Sequence, residues 1–194
     1  MKNWQKIALA AVGGIAVWSV ILRTPSGDPV ATTETSKESR AKWLAETPGM
    51  IRDFDSKKYT GKPADVVAGA YALEAIAERV KVAEAQKMPD AKTWADALKR
   101  KQENAFPELR RAWVAAMDAA MWESNVEVDA EGRAASVVRF TGGVFASNKA
   151  VADAQEIISE QVQRLRFKKV KYLWIPSASE YQLYTIESKA DGDL

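Results

Sequence analysis

The sequence predicts an α+β protein: a single N-terminal transmembrane helix, then antiparallel helices packed with a C-terminal ββαββ unit whose four-stranded sheet is mainly antiparallel. Three observations predict it. Residues 7–22, IALAAVGGIAVWSVIL, carry no charge; between Pro63 and Trp122 apolar residues recur at i, i+3/i+4 spacing; and beyond Asn125 the period shortens to two. The corresponding boundaries are an anchor at 1–23, a flexible linker at 24–41, a folded domain at 42–188 and a polar tail at 189–194.

As a helix, residues 7–22 are about 24 Å long at about 1.5 Å per residue, slightly short of a hydrocarbon layer of about 30 Å. Trp4 and Trp18 lie towards its ends and Arg23 closes it, where indoles and snorkelling cations extend an effective span. No small-residue A-x-A pattern follows in Thr24–Pro29, which favours a retained signal anchor over a cleaved secretory signal. Lys2 and Lys6 precede the segment and orient the chain with its C-terminal domain outside the cytoplasm, in the periplasm of a bacterial inner membrane. Ala10 and Gly14 form a small-xxx-small pair that offers a route to self-association.

Thr24–Arg40 is rich in Thr, Ser, Pro and charge, and reads as a tether that reaches about 55 Å when extended at about 3.3 Å per residue. Ser39 and Lys42 match the S-x-x-K spacing of Ser/Lys hydrolases, but the companion motifs are missing and the surroundings are too polar to desolvate a lysine. Next, Lys42–Tyr59 gives a short helical turn ending at Thr47–Gly49 and an irregular piece. There Asp53 and Asp55 start a D-x-D spacing that Lys57 and Lys58 then spoil for calcium.

Pro63 opens a helix with Val66, Ala70, Leu73, Ala77 and Val80 on one face, running to Lys87. Asp90 is placed to cap the next helix, which carries Trp94 and Leu98, should break or kink at Phe106–Pro107, and resumes with Leu109 and Trp113 towards Trp122. Trp94, Trp113 and Trp122 read as core residues on these helices. Val126–Asp129 and Arg133–Thr141 form a hairpin, and Gly142–Gly143 breaks it; the pair lacks the G-K-[ST] ending of a phosphate loop. Ser147 or Asn148 caps a helix with Val151, Ala154, Ile158, Val162 and Leu165 on one stripe, and Lys169–Ile175 and Tyr181–Ile186 are the last strands.

Charge and composition narrow the chemistry. Lys2, Lys6 and Arg23 are the only charges before Gly27, so 28 basic residues less these three leave 25 against 26 acidic in the rest. That near-neutral remainder weighs against nucleic acid as a partner. With no Cys and no His, the chain lacks disulfides, thiolate metal ligands and the common general base near neutral pH. No catalytic residue, metal ligand or cofactor is assigned.

Two clusters remain as candidates. Arg164, Arg166, Lys168, Lys169 and Lys171, with Tyr172 among them, suit a protein or anionic lipid contact. Glu123, Glu127, Asp129 and Glu131 surround a hairpin turn, where paired carboxylates are the group a hydrolase would need and a solvated strand edge the simpler account. The reading that follows is a non-catalytic interaction or scaffold module of a bacterial envelope assembly, held in the bilayer by residues 7–22 and contacting other envelope proteins. A membrane-tethered carboxylate hydrolase and a cleaved periplasmic binding protein are the alternatives.

Overall fold

The computed structural model describes residues 31–143, 145–146, 158–177 and 180–187, with side chains from Lys37 to Leu173 within those ranges. The anchor residues Trp4, Ala10, Gly14, Trp18 and Arg23 lie outside them, as do Ser147 and Asn148. No helix of the described residues is long and apolar enough to cross a membrane. The chain divides into two units, Met1–Trp43 and Leu44–Leu194.

In the first unit, residues expected to form an unstructured tether are helical, within α1 (Ala31–Ala45). Leu44, near its end, is buried, but its described side chains from Lys37 to Lys42 are all exposed, so burial does not make that stretch helical. Local terms do: no Gly or Pro interrupts it, and Glu38 and Lys42 stand at the favourable i,i+4 spacing. A helical segment advances about 1.5 Å per residue instead of about 3.3, so this part of the tether reaches less than half as far.

The second unit begins with α2 (Thr47–Asp53), which takes Pro48 in its first turn, where a missing N–H costs nothing. Phe54 leaves in an extended conformation, and the Asp55 carboxylate accepts from Lys57 N–H at 3.0 Å to start a 3₁₀ turn, Ser56–Lys58. α3 (Pro63–Ala85) follows, and the Asp65 carboxylate accepts from Lys62 N–H at 3.2 Å at its start. Val66, Ala70, Leu73, Ala77 and Val80 are all buried, as their spacing requires. Gly69 lies where α3 meets α4: a Cβ there would sit 2.8 Å from both the Leu109 side chain and the Tyr59 ring.

α4 (Ala91–Met121) is one helix through Pro107, where a break or a kink was expected, so the chain does not break there. A proline inside a helix costs about 3 kcal/mol. Burial on both sides of it outweighs that cost, because Phe106, Leu109 and Trp113 are at most 3% exposed and each full burial of a large apolar side chain is worth about 1.5–3 kcal/mol. Asp90 makes no side-chain cap. A 3₁₀ turn, Trp122–Ser124, and Asn125 at φ 54° end the helix and turn the chain into the sheet.

The sheet runs β1 (Val126–Glu131), β2 (Val137–Gly142), β3 (Lys169–Ser177), β4 (Glu180–Glu187) in that order. Outer pairs are antiparallel, but β2 and β3 are parallel, with Val138 opposite Val170 and Phe140 opposite Tyr172. The predicted ββαββ unit with a mainly antiparallel four-stranded sheet is therefore corrected. The part with described side chains is a mixed sheet of three strands, β1 to β3; β4 is described by its backbone, and between β2 and β3 residues 158–164 are helical. Turn residues and alternation specify hairpins locally. They do not say which strands of two hairpins meet, and a connection that crosses back over the sheet makes the meeting pair parallel.

Trp113 is the centre of the core. Its ring lies 5.4 Å from Phe167 and 6.5 Å, edge-on, from Phe140, while its indole N–H donates to Gln161 Oε1 at 2.7 Å. One side chain thus joins α4 to β2, to the chain entering β3 and to residues 158–164. The three tryptophans expected in the core have separate fates: Trp113 is fully buried, Trp94 is half-buried beside a groove, and Trp122 is 78% exposed. Spacing explains Trp94, since the nineteen residues to Trp113 rotate a helix by about 100° beyond whole turns, while Trp122 lies in the 3₁₀ turn past the helix end.

Candidate functional site

The basic run does not form one surface. Arg164 pairs with Glu74 at 2.9 Å and lies 4.9 Å above the Tyr71 ring, whose hydroxyl donates to Glu160 Oε1 at 2.8 Å. Lys168 and Lys169 are exposed where the chain enters β3. Strand alternation then sends Lys171 and Tyr172 to opposite faces. Lys171 donates to Glu131 at 2.6 Å, whereas Tyr172 stacks on Phe140 at 5.3 Å and burial raises its phenol above the usual value.

The acidic group divides as well. Arg139 donates to Asp129 at 3.0 Å and to Glu131 at 3.2 Å, and Lys171 completes a ladder of alternating charge across β1, β2 and β3. The bond from Arg139 to Asp129, more than any other influence, holds the guanidinium above its usual pKa. Glu123 and Glu127 are exposed and stand outside those ion pairs. On the free edge of β1, Asp118 of α4 accepts from Val128 N–H at 2.9 Å, so a side chain occupies a donor that another strand would otherwise seek. A hydrolase needs one carboxylate free to attack or to give up a proton; Asp129 and Glu131 are each tied to a cation instead.

A second arginine centre was not expected. Gln102, Phe106 and Arg110 follow one another at i+4 spacing along α4, and Arg166 lies over them. Arg110 is only 9% exposed. It donates to Leu165 O at 3.0 Å and to Ala134 O at 2.7 Å, with its guanidinium carbon 5.9 Å from the Phe106 and Phe167 ring centres. Burial, then the neighbouring charges of Arg166 and Arg111, bring its pKa down to about 10, which leaves it cationic at neutral pH. Arg166 sits 4.4 Å from the Phe106 ring centre, and burial lowers its pKa too. Neither arginine forms an ion pair with a carboxylate among the described residues.

Backbone geometry places Arg166 there. Helix 158–164 ends with Arg166 N–H bonded to Gln163 O at 2.9 Å and Phe167 N–H to Val162 O at 3.0 Å, a Schellman cap with Arg166 at φ 55°. Glycine is the usual residue at that position, and an L-residue costs about 1 kcal/mol there. Beneath the arginine, Gln102 is 5% exposed. Its Oε1 accepts from Arg166 at a long 3.4 Å, and its Nε2 has no partner among the described residues. The signal in the sequence is the phase of Gln102 and Arg110, polar residues on the stripe that Phe106 and Trp113 bury.

Two further features complete the surface. A groove of about 690 Å³ runs between α2, the 3₁₀ turn and α4, with Ile51, Phe54 and Trp94 in its walls. Its polar groups are largely committed: Lys101 donates to the carbonyls of Arg52 and Phe54, Arg52 pairs with Asp53, and Ser56 donates to Glu108. At the other end of α4, Trp122 and Phe145 are 78% and 87% exposed. A backbone relay brings them to one end of the β1–β2 hairpin: Asn125 N–H donates to Trp122 O at 3.1 Å, Gly143 N–H to Asn125 O at 3.3 Å, and Ala146 N–H to Gly143 O at 2.9 Å.

Among the described residues no group of three or more His, Cys, Asp or Glu is placed to hold a metal ion. No protein-family model, curated protein or solved structure matches the chain.

Proposed function

We propose that the chain is an interaction module of a bacterial envelope assembly, held at the membrane by its apolar segment 7–22, with the folded unit on the periplasmic side. The observation that carries this reading is the pair of large aromatics at the end of the β1–β2 hairpin, Trp122 and Phe145, each more than three-quarters exposed. Isolated exposed aliphatics are ordinary on protein surfaces, but exposed Trp and Phe at one place are the residues that anchor protein interfaces. Glu123 and Glu127 are exposed near them, outside the ion pairs found among the described residues. The complementary occupant is an apolar segment of a partner protein carrying Lys or Arg on its flank.

A photo-crosslinking residue introduced at position 122 or 145 of the full chain, in intact membranes, tests the docking face. Discrete adducts at both positions, and none at exposed Lys37 or Lys92, are expected. Equal labelling at all four positions refutes the docking face. Alkaline carbonate extraction of the same membranes tests the tether separately, because a chain released into the supernatant is not held by residues 7–22.

A further inference from the structure

The arginine centre on α4 has no role in that docking face, and its chemistry differs. We infer that Arg166 and Gln102 form a binding site for a phosphate-type oxyanion, with Arg110 supplying a fixed positive field beside it.

Four observations converge on this site. Two guanidiniums share the Phe106 ring, at 4.4 and 5.9 Å from its centre, without an ion-paired carboxylate among the described residues. Among the described residues the acid that acts on Arg166 is Glu74, which is already paired with Arg164 at 2.9 Å, so those residues give the centre an excess of positive charge. Gln102 is only 5% exposed, its Oε1 faces Arg166, and its Nε2 has no partner among the described residues. Finally, a left-handed cap that favours glycine carries an arginine, and that backbone turn lays the side chain across the aromatic ring.

The groups differ in their freedom. Arg110 has given two donors to carbonyls of the chain and is pinned. Arg166 is half-buried and its one hydrogen bond to Gln102 is long, so its guanidinium can lift from the ring at little loss. An oxyanion that displaces Gln102 Oε1 from Arg166 takes charge-assisted bonds from the guanidinium and, once the Gln102 amide turns over, a bond from its Nε2 N–H. A tetrahedral phosphate, doubly charged near neutral pH, gains more from two neighbouring guanidiniums than a singly charged carboxylate does. The ligand is a phosphate monoester-type group, free in solution or carried by a lipid headgroup.

The test uses the full chain in neutral detergent micelles at constant ionic strength, following thermal unfolding against inorganic phosphate and, separately, against phosphatidic acid mixed into the micelles. A saturable rise in midpoint is expected with at least one probe. It should weaken about tenfold in apparent affinity in Arg166→Gly, which keeps the cap, and less in Gln102→Leu, while Lys171→Gln responds as the parent does. A response to inorganic phosphate assigns a soluble ligand; a response to phosphatidic acid but not to phosphatidylcholine, with none to inorganic phosphate, assigns a headgroup. The proposal is overturned if neither probe acts, if Arg166→Gly responds like the parent, or if acetate matches phosphate at equal concentration. Loss of the response leaves crosslinking at positions 122 and 145 unchanged, so failure of this site and failure of the docking face are separately visible.

Discussion

Arg139 and Arg110 solve opposite problems with the same side chain. Arg139 lies on the outer side of the sheet, its side chain 37% exposed, and meets two carboxylates, Asp129 and Glu131, that are 40% and 30% exposed. Arg110 is buried, lies 5.9 Å from the Phe106 and Phe167 ring centres, and among the described residues gives its hydrogen bonds to carbonyl oxygens, those of Leu165 and Ala134. Partial neutralisation in water gives a weak, salt-sensitive link. Carbonyls leave a buried charge uncompensated but hold the chain in one geometry. The first arrangement spends its charge within the sheet, and the second keeps positive charge beside Arg166.

Substituting methionine at each position breaks this comparison most directly. Arg110→Met retains much of the volume and orphans two carbonyls, so it should lower unfolding free energy by about 2–4 kcal/mol, measured by urea titration with an unchanged slope. Arg139→Met removes half-exposed pairs and should cost about 1 kcal/mol or less, falling further in high salt. Equal losses at the two sites would mean that exposure does not separate them as described.

How far these centres were legible in the sequence depends on whether the signal is periodic. Val66, Ala70, Leu73, Ala77 and Val80 repeat with the helix and are buried, so α3 can be read directly. The β1–β2 hairpin is legible from alternation and from Gly132, which adopts φ 81° in its turn. Glu127, Asp129 and Glu131 share one side of β1, as their spacing of two requires, but their partners Arg139 and Lys171 come from two other strands. Nothing local specifies the parallel β2–β3 contact that brings Lys171 in. Likewise Arg164 and Arg166 look alike as neighbours in a basic run, and only the cap at φ 55° sends Arg166 to Phe106 while Arg164 meets Glu74. Trp122 reads as core only if the helix and its spacing continue to it, yet it falls beyond the last helical turn.

A second comparison sharpens the meaning of that cap. α3 ends in the same motif, with Lys87 at φ 54°, its N–H bonded to Glu84 O at 2.9 Å and Met88 N–H to Ala83 O at 3.0 Å. Lys87 is exposed, so Lys87→Gly relieves the left-handed strain and should raise stability by about 0.5–1 kcal/mol in urea titration. Arg166→Gly relieves the same strain and loses the contact with Phe106 and the bond to Gln102, about 0.5–1 kcal/mol in the opposite direction, so its net change should be near zero. A gain at position 166 as large as at position 87 would show that the Arg166 side chain contributes nothing to the fold.

The smallest effect concerns Tyr172, next to Lys171 but on the dry side of the same strand. Burial raises its phenol above the ordinary value of 10.0, so in the folded chain it keeps its proton at a pH where the unfolded chain has lost one. Between the ordinary value and the raised one the folded state binds more protons, and by linkage stability must fall as pH rises through that window. Tyr172→Phe removes the ionisation and keeps the ring against Phe140, so the decline in unfolding free energy above about pH 10 should become shallower while stability at neutral pH shifts by less than about 1 kcal/mol. Tyr71, whose phenol is raised first by burial and then by its bond to Glu160, contributes a slope of the same sign in both chains. A pH profile identical in the parent and in Tyr172→Phe would place Tyr172 in water, and with it the inner side of β3.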